Sequence, residues 1–254
     1  MNKTTPSVAY ETLVLQSNSK IACWHIRCSH IKNATTTKGT VIIFHGYSGE
    51  KSSMLDKAAF FDGLGYDCFL VDFMGSGDSE GNTTTVGFKE AEQVKTAFDY
   101  LKNKGVHNIY LFGTSMGAAA IMKTIHDYDL KPKAILIECP FGSMYETVCA
   151  RFRNIHAPVF PMAGLLVFWG GIQNGFWAFG HNPADYAKKI DCPTLLMYGN
   201  RDKNVSREET DAIFTNLQGP KTLKIFELAG HENYLGGKYK TAWMEAVIPF
   251  LKDN

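Results

Sequence analysis

The six cysteines of this sequence include no CxxC pair, its charges nearly cancel, and no uninterrupted apolar run is long enough to span a membrane. Each absence excludes something. Cys23, Cys28, Cys68, Cys139, Cys149 and Cys192 are scattered, mostly within apolar segments, so neither a zinc site nor a disulfide framework is expected, and buried thiols in a reducing compartment are. With 26 Lys+Arg against 25 Asp+Glu the net charge is +1, too balanced to gather phosphate backbones or acidic lipid; nucleic acid is not an expected partner. The opening stretch MNKTTPSVAYETLVL has Lys3 but no apolar h-region. No secretory signal is expected there, and a cytoplasmic location is. Residues 154–180 contain no Asp, Glu, Lys or Arg, yet Pro158, Pro161, Gly164, Gly170, Gly171 and Gly175 interrupt them and Gln173 and Asn174 sit among them. That leaves no clean run of about 20 apolar residues, and no transmembrane segment is expected.

What is present is a large core. The 254 residues are 45% hydrophobic, enough for one domain with an insertion and without stapling metals or disulfides. Residues 8–15 and 20–27 flank the turn-prone Ser17-Asn18-Ser19 and read as an antiparallel hairpin. The segments 40–45, 66–72, 108–113, 134–139, 194–199 and 222–227 are near-continuous apolar runs, the pattern of parallel strands covered on both faces. Segments of helical period lie between most of them, at 52–64, 87–103, 115–127 and 206–217, with a last one at 237–252. Strands alternating with helices give an α/β class with a doubly wound, mostly parallel sheet. The alternation lapses once, before 194–199, where about fifty residues intervene. The uncharged, aromatic part of this insertion, with Phe160, Phe168, Trp169, Phe176, Trp177 and Phe179, reads as an apolar lid over a substrate pocket; a buried helical pair or a partner-binding surface is the alternative.

Gly113-Thr114-Ser115-Met116-Gly117 directly follows the strand NIYLF and precedes the helical AAAIMKTIHDY. In a GxSxG turn between strand and helix, the serine hydroxyl projects from the sheet edge, and the flanking glycines let strand and helix approach. Ser115 is therefore the candidate nucleophile. Its position at a helix start also aims amide N–H groups and the positive dipole end at developing negative charge. A tetrahedral intermediate needs two such donors. The amide of Met116 is one candidate, and that of Tyr47, in His45-Gly46-Tyr47-Ser48-Gly49 after the strand 40–45, is the other, with Gly46 permitting the turn. His45 is expected to be structural.

Eight histidines compete to be the base. His231, in LAGHENY just beyond the strand 222–227, has a loop able to carry it to the elbow. His25 and His30 lie in or near the hairpin, His107 precedes the nucleophile strand, His126 ends a helix, and His156 and His181 bracket the lid. A zincin HExxH would need His where Leu235 stands. The acid that fixes the base belongs at the carboxyl end of a strand. Asp202, in NRD after TLLMYG, is the candidate, Glu138 at the end of AILIE the runner-up, and Asp211 a solvated helix residue.

The motifs HGYSG, VDFMGSGDSEG, GTSMG, and YGNRD with AGHENY, running from residue 45 to 234, together resemble the α/β-hydrolase superfamily, in particular the group of monoacylglycerol lipases, serine aminopeptidases and small bacterial carboxylesterases. VDFMGSGDSEG resembles that family's D-x-x-G-x-G-x-S-x-G turn, which accounts for Gly75, Gly77 and Gly81 without a dinucleotide. The resemblance implies that Asp202 and His231 complete a triad with Ser115, and that residues 141–182 form a helical cap on a core made of 1–140 and 183–254. Met74 stands where the family often has Arg, and Asn200 where an acid or Ser is common. A serine at 115 argues against the aspartate-dependent dehalogenases of this fold.

The expected activity is hydrolysis of carboxylic esters with apolar acyl or aryl groups through an acyl-enzyme, with Phe168, Trp169, Phe176 and Trp177 lining the lid and no cofactor or metal. Thioesterase, lysophospholipase and monoacylglycerol lipase activities would use the same triad. A non-catalytic ligand-binding protein of the same fold is the alternative of another class.

Overall fold

The computed structural model describes residues 4–29 and 37–254; Lys3 and His30 lie outside them. The chain forms two compact units, Met1–Leu136 and Ile137–Asn254. In the first, β1 (Tyr10–Gln16) and β2 (Lys20–Ile26) make the expected hairpin, in register from Tyr10 opposite Ile26 to Gln16 opposite Lys20. The strand β3 (Thr40–Phe44) lies between β4 (Asp67–Val71) and β5 (Ile109–Thr114), parallel to both, with Thr40 opposite Asp67 on one side and Ile109 on the other. Val41, Ile42, Ile43 and Phe44 are wholly buried. This is why TVIIF is apolar without alternation: neither face of a central parallel strand meets water.

The helix expected over 52–64 is a 3₁₀ turn, Lys51–Met54, leading into α1 (Leu55–Gly63). The one expected from residue 87 begins later, as α2 (Glu90–Asn103). The reason is Glu90, whose buried carboxylate accepts from the amides of Thr85 (2.8 Å) and Gly87 (3.0 Å) and from the Thr85 hydroxyl (2.6 Å). A carboxylate in the first turn satisfies approaching amides that the helix itself cannot. Helix α3 (Met116–Tyr128) follows β5 at once and is buried from Met116 to Ile125.

The glycine-rich turn after β4 folds around Asp72, not around a phosphate. The buried Asp72 carboxylate accepts from the amides of Lys51 (2.6 Å) and Asp78 (2.8 Å) and pairs with the buried Lys51 ammonium, which also reaches Asp78 at 2.7 Å. Gly77, at φ 56°, lies against that carboxylate; a Cβ there would fall 2.1 Å from Asp72 Oδ2.

The strand β6 (Ala134–Glu138) contributes residues to both units. The second unit then holds α4 (Met144–Asn154), α5 (Met162–Asn174), the short α6 (Pro183–Tyr186), β7 (Thr194–Gly199), α7 (Arg207–Asn216), β8 (Lys221–Phe226) and α8 (Lys240–Asp253). Pairing follows the order β1-β2-β4-β3-β5-β6-β7-β8, so the sheet is the expected mostly parallel one, with an antiparallel hairpin at its start. One expectation needs correction. The run 222–227 does not lie covered on both faces: β8 is an edge strand, with Lys221 and Thr222 exposed and Leu223, Lys224 and Ile225 half-buried. Its lysines belong to an edge that must not recruit another strand.

Helix α5 packs through Ala163, Val167 and Gly171, one residue per turn. Gly171 must be glycine, because a Cβ there would meet the Phe176 carbonyl at 2.6 Å. Among the described residues no helix is long and apolar enough to cross a membrane.

Candidate active site

In the first unit Ser115 joins β5 to α3 at φ 52° and ψ −108°, a left-handed backbone that costs a non-glycine residue of order 1 to 3 kcal/mol. Its flanking glycines are steric necessities. A Cβ at Gly113 would lie 2.7 Å from the Ala118 amide nitrogen, and one at Gly117 2.6 Å from the Phe44 carbonyl oxygen. The turn after β3 comes close to this elbow: a Cβ on Gly46 would stand 3.4 Å from the Thr114 carbonyl oxygen and 3.6 Å from Ser115 Cβ. The left-handed residue of that turn is Ser48, at φ 59°. Gly46 heads that turn, its carbonyl accepting from the Gly49 amide at 3.1 Å, but without a left-handed φ, and a Cβ there would meet its neighbours at ordinary van der Waals distance. Met116 is the first residue of α3 and is buried, and Tyr47 is half exposed.

His45 is wholly buried, and its hydrogen bonds define its tautomer. The Phe73 amide donates to Nε2 at 3.1 Å, so Nδ1 carries the proton and donates to the Gly46 carbonyl at 2.8 Å. The ring thus braces the turn that carries Tyr47. Burial holds the imidazole below its ordinary titration range, and burial followed by the Arg27 charge does the same for His25. Both histidines are neutral in the folded protein and take up protons near pH 6.5 when unfolded. The unfolded state then binds more protons as pH falls, so the stability they contribute is present above about 6.5 and lost below it. A pH series of melting temperatures is expected to drop through that range; a rise on acidification would contradict the assignment.

The second unit brings Asp202 and His231 together. Asp202 Oδ2 accepts from His231 Nδ1 at 2.6 Å, while Oδ1 accepts from the amides of Asn204 (2.7 Å) and Val205 (3.0 Å). The Asp202 side chain is fully buried and that of His231 is 21% exposed. With Nδ1 protonated and engaged, the imidazole keeps its Nε2 lone pair for another proton. The loop that carries His231 is pressed onto the end of β7: a Cβ on Gly199 would lie 2.6 Å from the carbonyl oxygens of both Ala229 and Gly230. Asn200 ties the same loop down, its Oδ1 accepting from the Leu228 amide at 2.7 Å and its amide group bonding Glu227. The side chain that departs from the family pattern is thus structural.

Glu138 is buried at the end of β6 and accepts from Trp243 Nε1 of α8 at 2.6 Å. Asp211 pairs with Arg207 on the exposed face of α7. His181 is buried against Tyr186, and His126 pairs with Asp127. Two residues that the sequence reading passed over stand beside the Asp202–His231 pair. Cys139 Sγ lies 2.7 Å from Tyr234 Oη, and one ligating atom each of Cys139, Asp202 and His231 falls within 4.8 Å of the others. These donors fit a resident metal poorly. Burial and the Asp202 charge push the Cys139 thiol well up, whereas a metal needs the thiolate, and His231 Nδ1 is committed to Asp202.

Of the aromatic residues expected in the lid, Phe168 and Trp169 are on α5, with rings 5.4 Å apart, and Phe176 and Trp177 follow its end at Gly175. Trp177 also contacts Phe179 at 5.2 Å. Phe168, Trp169 and Trp177 are exposed, Phe176 half-buried.

A family model described as "Serine aminopeptidase, S33" matches residues 35–174. The protein YqkD of Bacillus subtilis is 29% identical over 200 residues, 77% of this chain and 65% of its own length. Lysophosphatidylserine lipase ABHD12 of Danio rerio is 24% identical over 218 residues, 81% of this chain and 51% of that protein. The chain therefore spans half to two thirds of these relatives. Among solved structures, the esterase Pf2001 of Pyrococcus furiosus superposes with a TM-score of 0.77 at 23% identity, over 97% of this chain and 92% of that one. The match over residues 35–174, on a mostly parallel sheet with a nucleophile-type elbow, shows that the chain belongs to the serine aminopeptidase S33 family of α/β hydrolases.

Proposed function

We propose that the chain is a serine esterase in which Ser115, Asp202 and His231 form one catalytic triad. The observation that carries this reading is the 2.6 Å bond from His231 Nδ1 to Asp202, because it leaves Nε2 as the base. Ser115 Oγ attacks the ester carbonyl as its proton passes to His231 Nε2, and the Asp202 carboxylate stabilises the resulting imidazolium. The amides of Tyr47 and Met116 receive the oxyanion. Collapse expels the alcohol, which takes the proton from His231, and leaves Ser115 acylated. Water then gives a proton to Nε2 as it attacks the acyl carbon, and a second collapse returns the proton to Ser115 and releases the acid.

Residues 141–182 are the cap in this reading, and Phe168, Trp169, Phe176 and Trp177 receive the acyl or aryl part. Their lack of charge over 154–180 favours apolar acyl groups over charged peptides. The lipase among the relatives favours a lysophospholipid within that class as a second reading. The six cysteines are held as thiols, which supports a cytoplasmic setting.

Hydrolysis of p-nitrophenyl esters tests the substrate class. Rates are expected to rise from acetyl to medium acyl chains as the cap buries more methylenes, each worth about 0.8 kcal/mol when fully desolvated. Turnover of acyl thioesters with none of oxygen esters would replace esterase by thioesterase. No turnover of either by folded protein would favour a ligand-binding protein.

A further inference from the structure

Cys139 and Tyr234 have no place in the proposed chemistry, yet they form a buried polar pair beside it. Cys139 directly follows β6 and holds a left-handed backbone, φ 47°, which is uncommon outside glycine. Its amide donates to the Met197 carbonyl of β7 at 2.9 Å, so the residue is fixed at both backbone and side chain. Tyr234 is wholly buried, its ring stacked on Phe226 at the end of β8, centroids 4.3 Å apart and planes at 22°. Its Oη lies 3.1 Å from the carbonyl oxygen of Gly230, the residue before His231, and 2.7 Å from Cys139 Sγ.

Counting protons fixes the direction of one of these bonds. The phenol has one hydrogen, and the Gly230 carbonyl can only accept, so Tyr234 donates to Gly230. The thiol proton then has two acceptors beside it, Tyr234 Oη and the Asp202 carboxylate. The contacts from Cys139 to Tyr234 and from Tyr234 O–H to the Gly230 carbonyl run from the end of β6 into the backbone that carries His231. Both groups stay protonated: burial, then the Asp202 charge, pushes the thiol up, and burial, then the neighbouring thiol, does the same for the phenol.

Packing alone does not account for the pair. Phe would keep the stacked ring without burying a hydroxyl, and a small apolar side chain would fill the Cys139 site without a polar hydrogen, and buried polar groups are costly unless bonded. What the polar atoms add is a bond to one carbonyl, four residues before Tyr234 and next to His231. It closes residues 230–234 into a loop from the side opposite the bonds that Asn200 and Asp202 make, tying the residue next to His231 to the ring stacked on Phe226.

We propose that Cys139 and Tyr234 are positioning residues, a neutral thiol–phenol clamp that holds the His231 loop so that Nδ1 stays on Asp202. Being uncharged, the clamp orients the base without placing another charge beside the Asp202 carboxylate. The inference rests on the esterase reading for its kinetic consequence, though not for its structural one.

Tyr234→Phe removes one oxygen and keeps the stacked ring; Cys139→Ala removes the donor and Cys139→Ser restores one. With a p-nitrophenyl ester that the wild type cleaves, Tyr234→Phe is expected to lower kcat by about 10- to 100-fold with KM little changed, the signature of a misplaced catalytic group. Cys139→Ala is expected to lose less, and Cys139→Ser to recover most of that loss. Low-field proton NMR reads the His231 Nδ1–H without any substrate. That resonance is expected in the wild type and in Cys139→Ser, and to broaden into exchange in Tyr234→Phe while the melting transition stays cooperative. A sharp resonance and wild-type kcat in folded Tyr234→Phe would overturn the clamp, as would a wild type lacking the resonance. Cys139→Ser no better than Cys139→Ala, with kcat and melting temperature falling together, would reduce the pair to packing. If the resonance responds as expected while the wild type cleaves no ester, the clamp stands and the esterase reading falls.

Discussion

Replacing Ser115 by Ala is expected to lower ester turnover by about 10⁶-fold, as loss of a triad serine does elsewhere, with little change in melting temperature. The size follows from the proposed acyl-enzyme route: without Oγ that route has no covalent intermediate, and only the proposed oxyanion amides of Tyr47 and Met116 and substrate binding would remain to favour hydrolysis. The small effect on stability follows from the geometry. Alanine has the same Cβ as serine at φ 52°, so backbone strain is unchanged, and the Ser115 side chain makes no cap bond to α3 that alanine would lose. Adding His231→Ala to Ser115→Ala should cost almost nothing further, because in the proposed triad the two groups act as a unit. Steady-state rates of the single and double variants measure this.

Asp202→Asn is expected to cost about 10⁴-fold in kcat through the wrong imidazole tautomer. The Oδ1 contacts with the amides of Asn204 and Val205 dictate how the new side chain sits. Its oxygen keeps those two bonds, which places the NH₂ group where Oδ2 accepted from His231. That group donates to Nδ1, moves the ring proton to Nε2, and leaves nothing to receive the Ser115 proton. KM should change little, since Asp202 is buried away from solvent and from substrate. The same loss from Glu138→Gln instead of Asp202→Asn would move the acid to β6, against the geometry in which Glu138 bonds Trp243.

Much of the fold and of the local geometry on either side of Ser115 was legible in the chain because each motif is bound to a local backbone requirement. A Cβ at Gly113 or Gly117 collides with neighbouring backbone, and a Cβ at Gly77 collides with Asp72. Such positions are written as glycine and can be read as such. Continuous apolar runs marked the central strands for the same reason, that both faces are covered. The same logic misled at residues 222–227, where apolar residues on an edge strand imitate a central one, and the left-handed residue of the turn after β3 is not a glycine but Ser48. Cys139 and Tyr234 were not legible because they stand 95 residues apart and each has an ordinary core identity when read alone. Only the fold shows that their polar atoms meet beside Asp202.

The central claim is that Ser115 is a nucleophile activated by His231 and Asp202. Covalent labelling of the folded protein with a fluorophosphonate, followed by peptide mapping in a mass spectrometer, tests it most directly. A single adduct on Ser115 is expected, absent in Ser115→Ala and formed far more slowly in His231→Ala and Asp202→Asn. An adduct on another serine, or undiminished labelling of Ser115 without His231, would contradict it.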